Sequence, residues 1–132
     1  MAEVLIWQSN GYLNSIVTAL FTAVQLKGLG VDVAVVFDQA AVAALAEKKF
    51  DVAPPLAKYA TTIMANVKNA GYPVDAMDYV RQCKAAGVPM YACEAWCEFL
   101  GVGGKLPPEI EVKGTAWDMK LVAESKRIIG GP

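Results

Sequence analysis

Residues 31–49 read VDVAVVFDQAAVAALAEKK, and this stretch decides the fold. Its first seven residues are almost all apolar and rich in valine, which favours a strand. They do not alternate with polar residues, so both faces of that strand are expected to be covered, as in a parallel sheet. Asp38 then closes the run and stands where it could cap a helix over the alanine-rich residues that follow. A buried strand feeding directly into a helix is one unit of an alternating α/β fold.

The same unit recurs on either side. Residues 4–7, VLIW, are a continuous apolar run. Leu13, Ile16, Val17, Leu20 and Val24 then fall on one helical stripe, which Gly28 and Gly30 stop. Residues 75–86 predict a helix closed by Gly87, 88–93 (VPMYAC) a strand, and 94–101 a short helix closed by Gly101. Residues 109–114 predict a short strand, 116–127 a helix, and 127–129 a last edge strand. Residues 50–74 fit less well. Pro54 and Pro55 precede an expected helix over 56–69, with Leu56, Tyr59, Ile63, Met64 and Val67 on its apolar face. This segment reads as an insertion packed on the edge of the domain or on a neighbouring subunit. The expected architecture is one domain over residues 1–132. It is a three-layer α/β/α sandwich with a mainly parallel five-stranded sheet, flavodoxin-like.

Composition narrows the function. The net charge is −1 with no basic stripe, which argues against binding nucleic acid through its phosphates. No uncharged stretch reads as a membrane span of about 20 apolar residues. Glu3 stands where an export signal would carry basic residues, so a cytoplasmic location is expected. The apolar share is 55%, above the roughly 45–50% of ordinary soluble domains. A covered parallel sheet or buried subunit contacts would both account for the excess. The loop QSNGY (8–12) has Ser9 or Asn10 as a helix cap and Gly11 for a tight turn, but it lacks a nucleotide-binding glycine pattern.

The chain has three cysteines and no histidine. In open α/β sheets, chemistry collects beyond the carboxyl ends of the strands. Cys93 ends a predicted strand and starts a helix, where free backbone N–H groups favour a thiolate and the neighbouring Glu94 opposes it. Cys97 lies one helical turn on, between apolar residues, and reads as core filling. The two are poorly aimed for a disulfide within one helix. A second ligand pair is missing, so a zinc site is not expected. Cys83 shares a stripe with Ala76, Val80 and Gly87 and reads as core. Strand rise places it ~10 Å or more from Cys93.

Four stretches carry a family resemblance: VLIW (4–7), VVFDQAAVAAL (35–45), AAGVPMYACEAWCEFLGV (85–102) and IEVKGTAWDMKLVAESKRII (110–129). Through them the chain resembles the DsrE-like (DsrE/DsrF-like, TusD-related) family of small sulfur-handling proteins. The resemblance implies that Cys93 accepts sulfur as a persulfide and relays it to a partner thiol. It loosely matches Cys83 to a further cysteine that some members carry. It also implies a trimer or hexamer, working beside a small sulfur-carrier protein of the TusA type and a rhodanese-type donor. No cofactor, metal, nucleic acid or membrane is implied. Persulfide transfer is thiolate attack on sulfur, and it does not require a histidine base. Two other readings stay open: a non-catalytic oligomeric binding module, and a thiol redox protein using Cys93 and Cys97.

Overall fold

A computed structural model describes residues 2–131. Its strands are β1 (Val4–Gln8), β2 (Val33–Phe37), β3 (Met90–Cys93), β4 (Glu111–Lys113) and β5 (Arg127–Gly130). Its helices are α1 (Leu13–Gly28), α2 (Gln39–Glu47), α3 (Ala60–Asn69), α4 (Ala76–Ala85), α5 (Glu94–Leu100) and α6 (Thr115–Glu124). The sheet order is β4-β3-β2-β1-β5 and every pairing is parallel. All the strands therefore end on one edge. The α/β sandwich expected from the sequence is the observed fold.

The two faces are covered unequally. Val4, Ile6, Val33, Val35, Phe37, Met90 and Ala92 turn to one face. There they meet Ile16 and Leu20 of α1, Val42 and Leu45 of α2, Val80 of α4 and Cys97 of α5. The alternate residues, Leu5, Trp7, Ala34, Val36 and Tyr91, turn to the other face, where Leu121, Trp117 and Val122 of α6 cover them. Among the described residues, α6 is thus the helix that seals the second face. This matters for function, because strand residues alternate sides. Cys93 shares the α6 side with Tyr91, and Asp38, one residue beyond β2, continues the parity of Val36.

Several local expectations change. Residues 56–69 are not one helix. Pro54–Tyr59 form a tighter 3-10 turn before α3 begins, as is frequent at the start of an α-helix. Leu56, Ile63, Met64 and Val67 are half-buried, and Tyr59 is exposed, so the insertion is lightly packed. Helix α6 ends at Glu124, short of Arg127. The cap of α1 is Tyr12, with no side-chain bond. Ser9 does not cap it; its hydroxyl donates to the Gly131 carbonyl at 2.9 Å. Asn10 instead accepts from the Tyr12 N–H at 3.2 Å. Gly11 is required by space, since a Cβ there would lie 2.6 Å from the Ala40 carbonyl oxygen.

Candidate functional site: a thiol between buried carboxyls

The carboxyl ends of β1, β2 and β3 carry Trp7, Asp38 and Cys93. Register sets Asp38 level with Cys93, while Trp7 lies two residues lower on the same face and reaches Asp38 with its side chain. Trp7 pairs with Val36, Phe37 with Ala92, and Cys93 with Lys113. Asp38 occupies the N-cap position of α2, but it makes no capping bond. Gln39 takes a left-handed conformation, φ 48°, uncommon for a residue with a Cβ. The Asp38 carboxyl is bonded elsewhere: Trp7 Nε1 donates to its Oδ2 at 2.8 Å. Its Oδ1 is buried with no partner.

Helix α6 brings a second carboxyl onto the same spot. Asp118 lies in its first turn, its N–H bonded to the Gly114 carbonyl at 3.0 Å. The side chain turns toward the sheet, as Leu121 does one turn later, and only 4% of the residue is exposed. Neither carboxylate oxygen has a hydrogen-bond partner. Buried carboxyls normally find partners, because an uncompensated charge in a low-dielectric interior is costly. Burial pushes the Asp118 carboxyl up to about 6; the neighbouring Cys93 thiol draws it down, and the charge of Asp38 adds to the rise. Lys113 stands beside Cys93 in register but does not neutralise the pair. Its ammonium lies 4.9 Å from the Trp117 ring centre and 3.6 Å from Glu111.

Cys93 itself is half-buried and forms the N-cap of α5 without a capping bond from its side chain. Helix α5 has only seven residues. Register and strand parity set the thiol near two carboxyls, Asp38 and, under α6, Asp118, which the sequence did not suggest. Asp38 was expected only as a helix cap, and Asp118 was not singled out. The usable signal for Asp118 was its i,i+3 spacing from Leu121, which puts an acid on the apolar stripe of α6.

The other two cysteines are elsewhere. Cys97 is buried on the opposite face, among the residues that α1, α2 and α4 contribute, and burial raises its thiol above the ordinary range. That placement agrees with core filling. Cys83 is fully buried. Its thiol donates to the Leu20 carbonyl at 3.3 Å, and burial pushes it up to about 12. Cys83 packs between α4 and α1, on the face away from Cys93, and the fold does not bring the two together. All three cysteines are unpaired, and no group of three or more metal-binding side chains gathers among the described residues.

Open cavities border both ends of the sheet. One of about 430 Å³ lies beside Trp7, between the QSNGY loop and Gly130–Gly131. The loop thus walls the neighbouring space, with Asp38 between it and Cys93. A larger cavity, about 570 Å³, sits at the opposite end of β3 around Val88 and Pro89, away from the thiol. Among the described residues, no helix is long and apolar enough to cross a membrane.

No protein-family model matches the chain, and no curated protein matches it. Solved structures do. The crystal structure of the ychN protein from E. coli superposes with a TM-score of 0.69 at 14% identity, covering 98% of both chains. A conserved protein of unknown function from Bacteroides thetaiotaomicron matches with a TM-score of 0.64, also at 14% identity, over 96% of this chain and 93% of that one. At this identity the likeness establishes the fold, an α/β sandwich shared over essentially the whole chain, with the thiol and its carboxyls on the edge where such folds do their chemistry.

Proposed function

We propose that this chain is a DsrE-like sulfur-handling protein that accepts sulfane sulfur on Cys93 as a persulfide and relays it to a partner thiol. The observation that carries this reading is the contrast among the three thiols. Cys93 alone is partly open to solvent, at the end of a strand, while Cys83 and Cys97 are sealed in the core. The likeness in fold to ychN over the whole chain is compatible with it. A role for Cys83 as a second sulfur acceptor is not part of the proposal, because an enclosed thiol held at about 12 has neither access nor thiolate at neutral pH.

The partner we infer is a small sulfur-carrier protein of the TusA type, with a rhodanese-type donor upstream and a cytoplasmic setting. Phe99 is 73% exposed on α5, the helix that starts at Cys93, which suits contact with a protein partner. We also infer a homo-oligomer, trimer or hexamer, from the apolar excess and from Ile128 and Ile129, both exposed on edge strand β5.

The test is to treat the reduced protein with polysulfide and weigh it by mass spectrometry. The parent is expected to gain 32 Da per sulfur (about one atom per chain), and Cys93→Ser to gain none. Equal gain in Cys93→Ser ends the proposal. A redox role for Cys93 and Cys97 predicts an intramolecular disulfide after peroxide. Their placement on opposite faces supports the expectation that none forms.

A further inference from the structure

We infer that Asp118 is the proton acceptor for Cys93: it takes the thiol proton as the thiolate forms, and it returns that proton to the thiolate that leaves the sulfur donor. The inference rests on the persulfide reading above and adds a base to it. Three observations carry it. Both Asp118 oxygens are buried and unpartnered. Strand parity turns Cys93 to the face that α6 covers, and Tyr91, two residues before the thiol, lies 4.4 Å ring to ring from Trp117, the residue before Asp118. Asp38, held by the Trp7 indole, supplies a second negative charge close by.

The step balances without any further reagent. The Asp118 carboxylate takes the proton of Cys93, giving a thiolate and a neutral carboxyl. The thiolate attacks the outer sulfur of a donor persulfide, R–S–SH. A sulfur–sulfur bond forms to Cys93 and the donor's own sulfur–sulfur bond breaks. The donor leaves as R–S⁻ and takes the proton back from Asp118, becoming R–SH. Cys93 now carries the persulfide, and the oxidation level of the transferred sulfur is unchanged.

The charges around Asp118 suit this exchange. A bare thiolate beside an ionised Asp118 and Asp38 would be a cluster of like charges. Moving the proton onto Asp118 keeps the total charge constant while the nucleophile forms. Burial holds the proton affinity of Asp118 near that required at neutral pH, which is where a general base works best. The groups facing it are Cys93 from β3 and Asp38 after β2, with Trp7 from β1 acting through Asp38. Lys113 of β4 directs its ammonium to Trp117 and Glu111 instead. Tyr91 of β3 lies against Trp117, ring to ring at 4.4 Å.

The test is the rate at which Cys93 reacts as pH is varied from 5 to 9. Iodoacetamide labelling measures thiolate formation alone, and transfer from a small-molecule persulfide measures the full step. The parent should show a rise centred near pH 6 and a shallow plateau above it in both assays. In Asp118→Asn that rise should disappear, and the rate at pH 7 should fall at least about 10-fold, at the low end of general-base effects. If Asp118→Asn labels as fast as the parent or faster, Asp118 is only a repelling charge and the inference is overturned. Asp38→Asn is the second variant. It should shift the rise to lower pH while keeping the plateau, because less negative charge opposes ionisation of Asp118; an unmoved rise also overturns the inference. If the parent shows the labelling profile but takes no sulfur from any donor, the sulfur-relay reading fails while the thiol–carboxyl pair stands.

Discussion

Replacing Asp118 by asparagine should stabilise the protein at neutral pH and leave it nearly unchanged in acid. Asparagine has the shape of a protonated aspartate but cannot ionise. In the folded chain the Asp118 carboxyl is raised from an ordinary 3.8 to about 6. Between those values the folded chain holds a proton that the unfolded chain has already released. Stability contributed by the neutral carboxyl is therefore lost as pH rises through this window, and above about 6 the full cost of a buried charge is present. Each tenfold change in proton affinity is worth about 1.4 kcal/mol, so the cost is about 3 kcal/mol at pH 7.5. The assay is urea unfolding of both proteins between pH 4 and pH 8. Groups away from Asp118 titrate alike in the two and cancel in the difference. With urea slopes of about 1–3 kcal/mol/M, the midpoints should separate by about 1–3 M at pH 7.5 and converge near pH 4. A difference that stays constant across this range would refute the reasoning, because it would mean that Asp118 is not held above its ordinary value.

Four other outcomes are expected. In the native protein at pH 7.5, iodoacetamide should modify Cys93 alone, with Cys83 and Cys97 labelled only after unfolding; peptide mapping reads this. Trp7→Phe keeps an aromatic ring on the sheet but removes the donor to Asp38, and should cost at least about 1–3 kcal/mol in chemical unfolding, the cost of an orphaned buried acceptor. Gly130→Ala should destabilise by about 2 kcal/mol or more, since Gly130 has φ 90° and a Cβ there would press into the Trp7 carbonyl; thermal melting reads it. Phe99→Ala should slow transfer to a protein acceptor several-fold while leaving loading by small polysulfide unchanged, as stopped-time mass measurements would show.

The architecture was legible along the chain because burial leaves a local trace. Strands covered on both faces, such as Val33–Phe37, must be apolar at every position. Helices against a sheet must carry a stripe, and glycines such as Gly87 and Gly101 supply the left-handed turns after α4 and α5. Residues 56–59 form a 3-10 turn where an α-helix is expected, because both helices can start with proline and carry the same apolar spacing over a single turn. Cys93 was legible for a similar reason: the end of a strand is a position that sequence alone can assign. Cys97 could be set aside by its apolar neighbours.

The sequence by itself determined the sandwich, the common edge of its strands and the cysteine that ends one of them. Tertiary structure decided what that cysteine faces. Asp38 and Asp118 are 80 positions apart, and nothing in either neighbourhood records the other. They meet because strand parity turns Cys93 and Asp38 to the second face, and because α6 is the helix laid over that face. A carboxyl's proton affinity depends on solvent access and on charges nearby in space. Both are fixed by packing between distant segments, so the base beside the thiol appears only once the chain is folded.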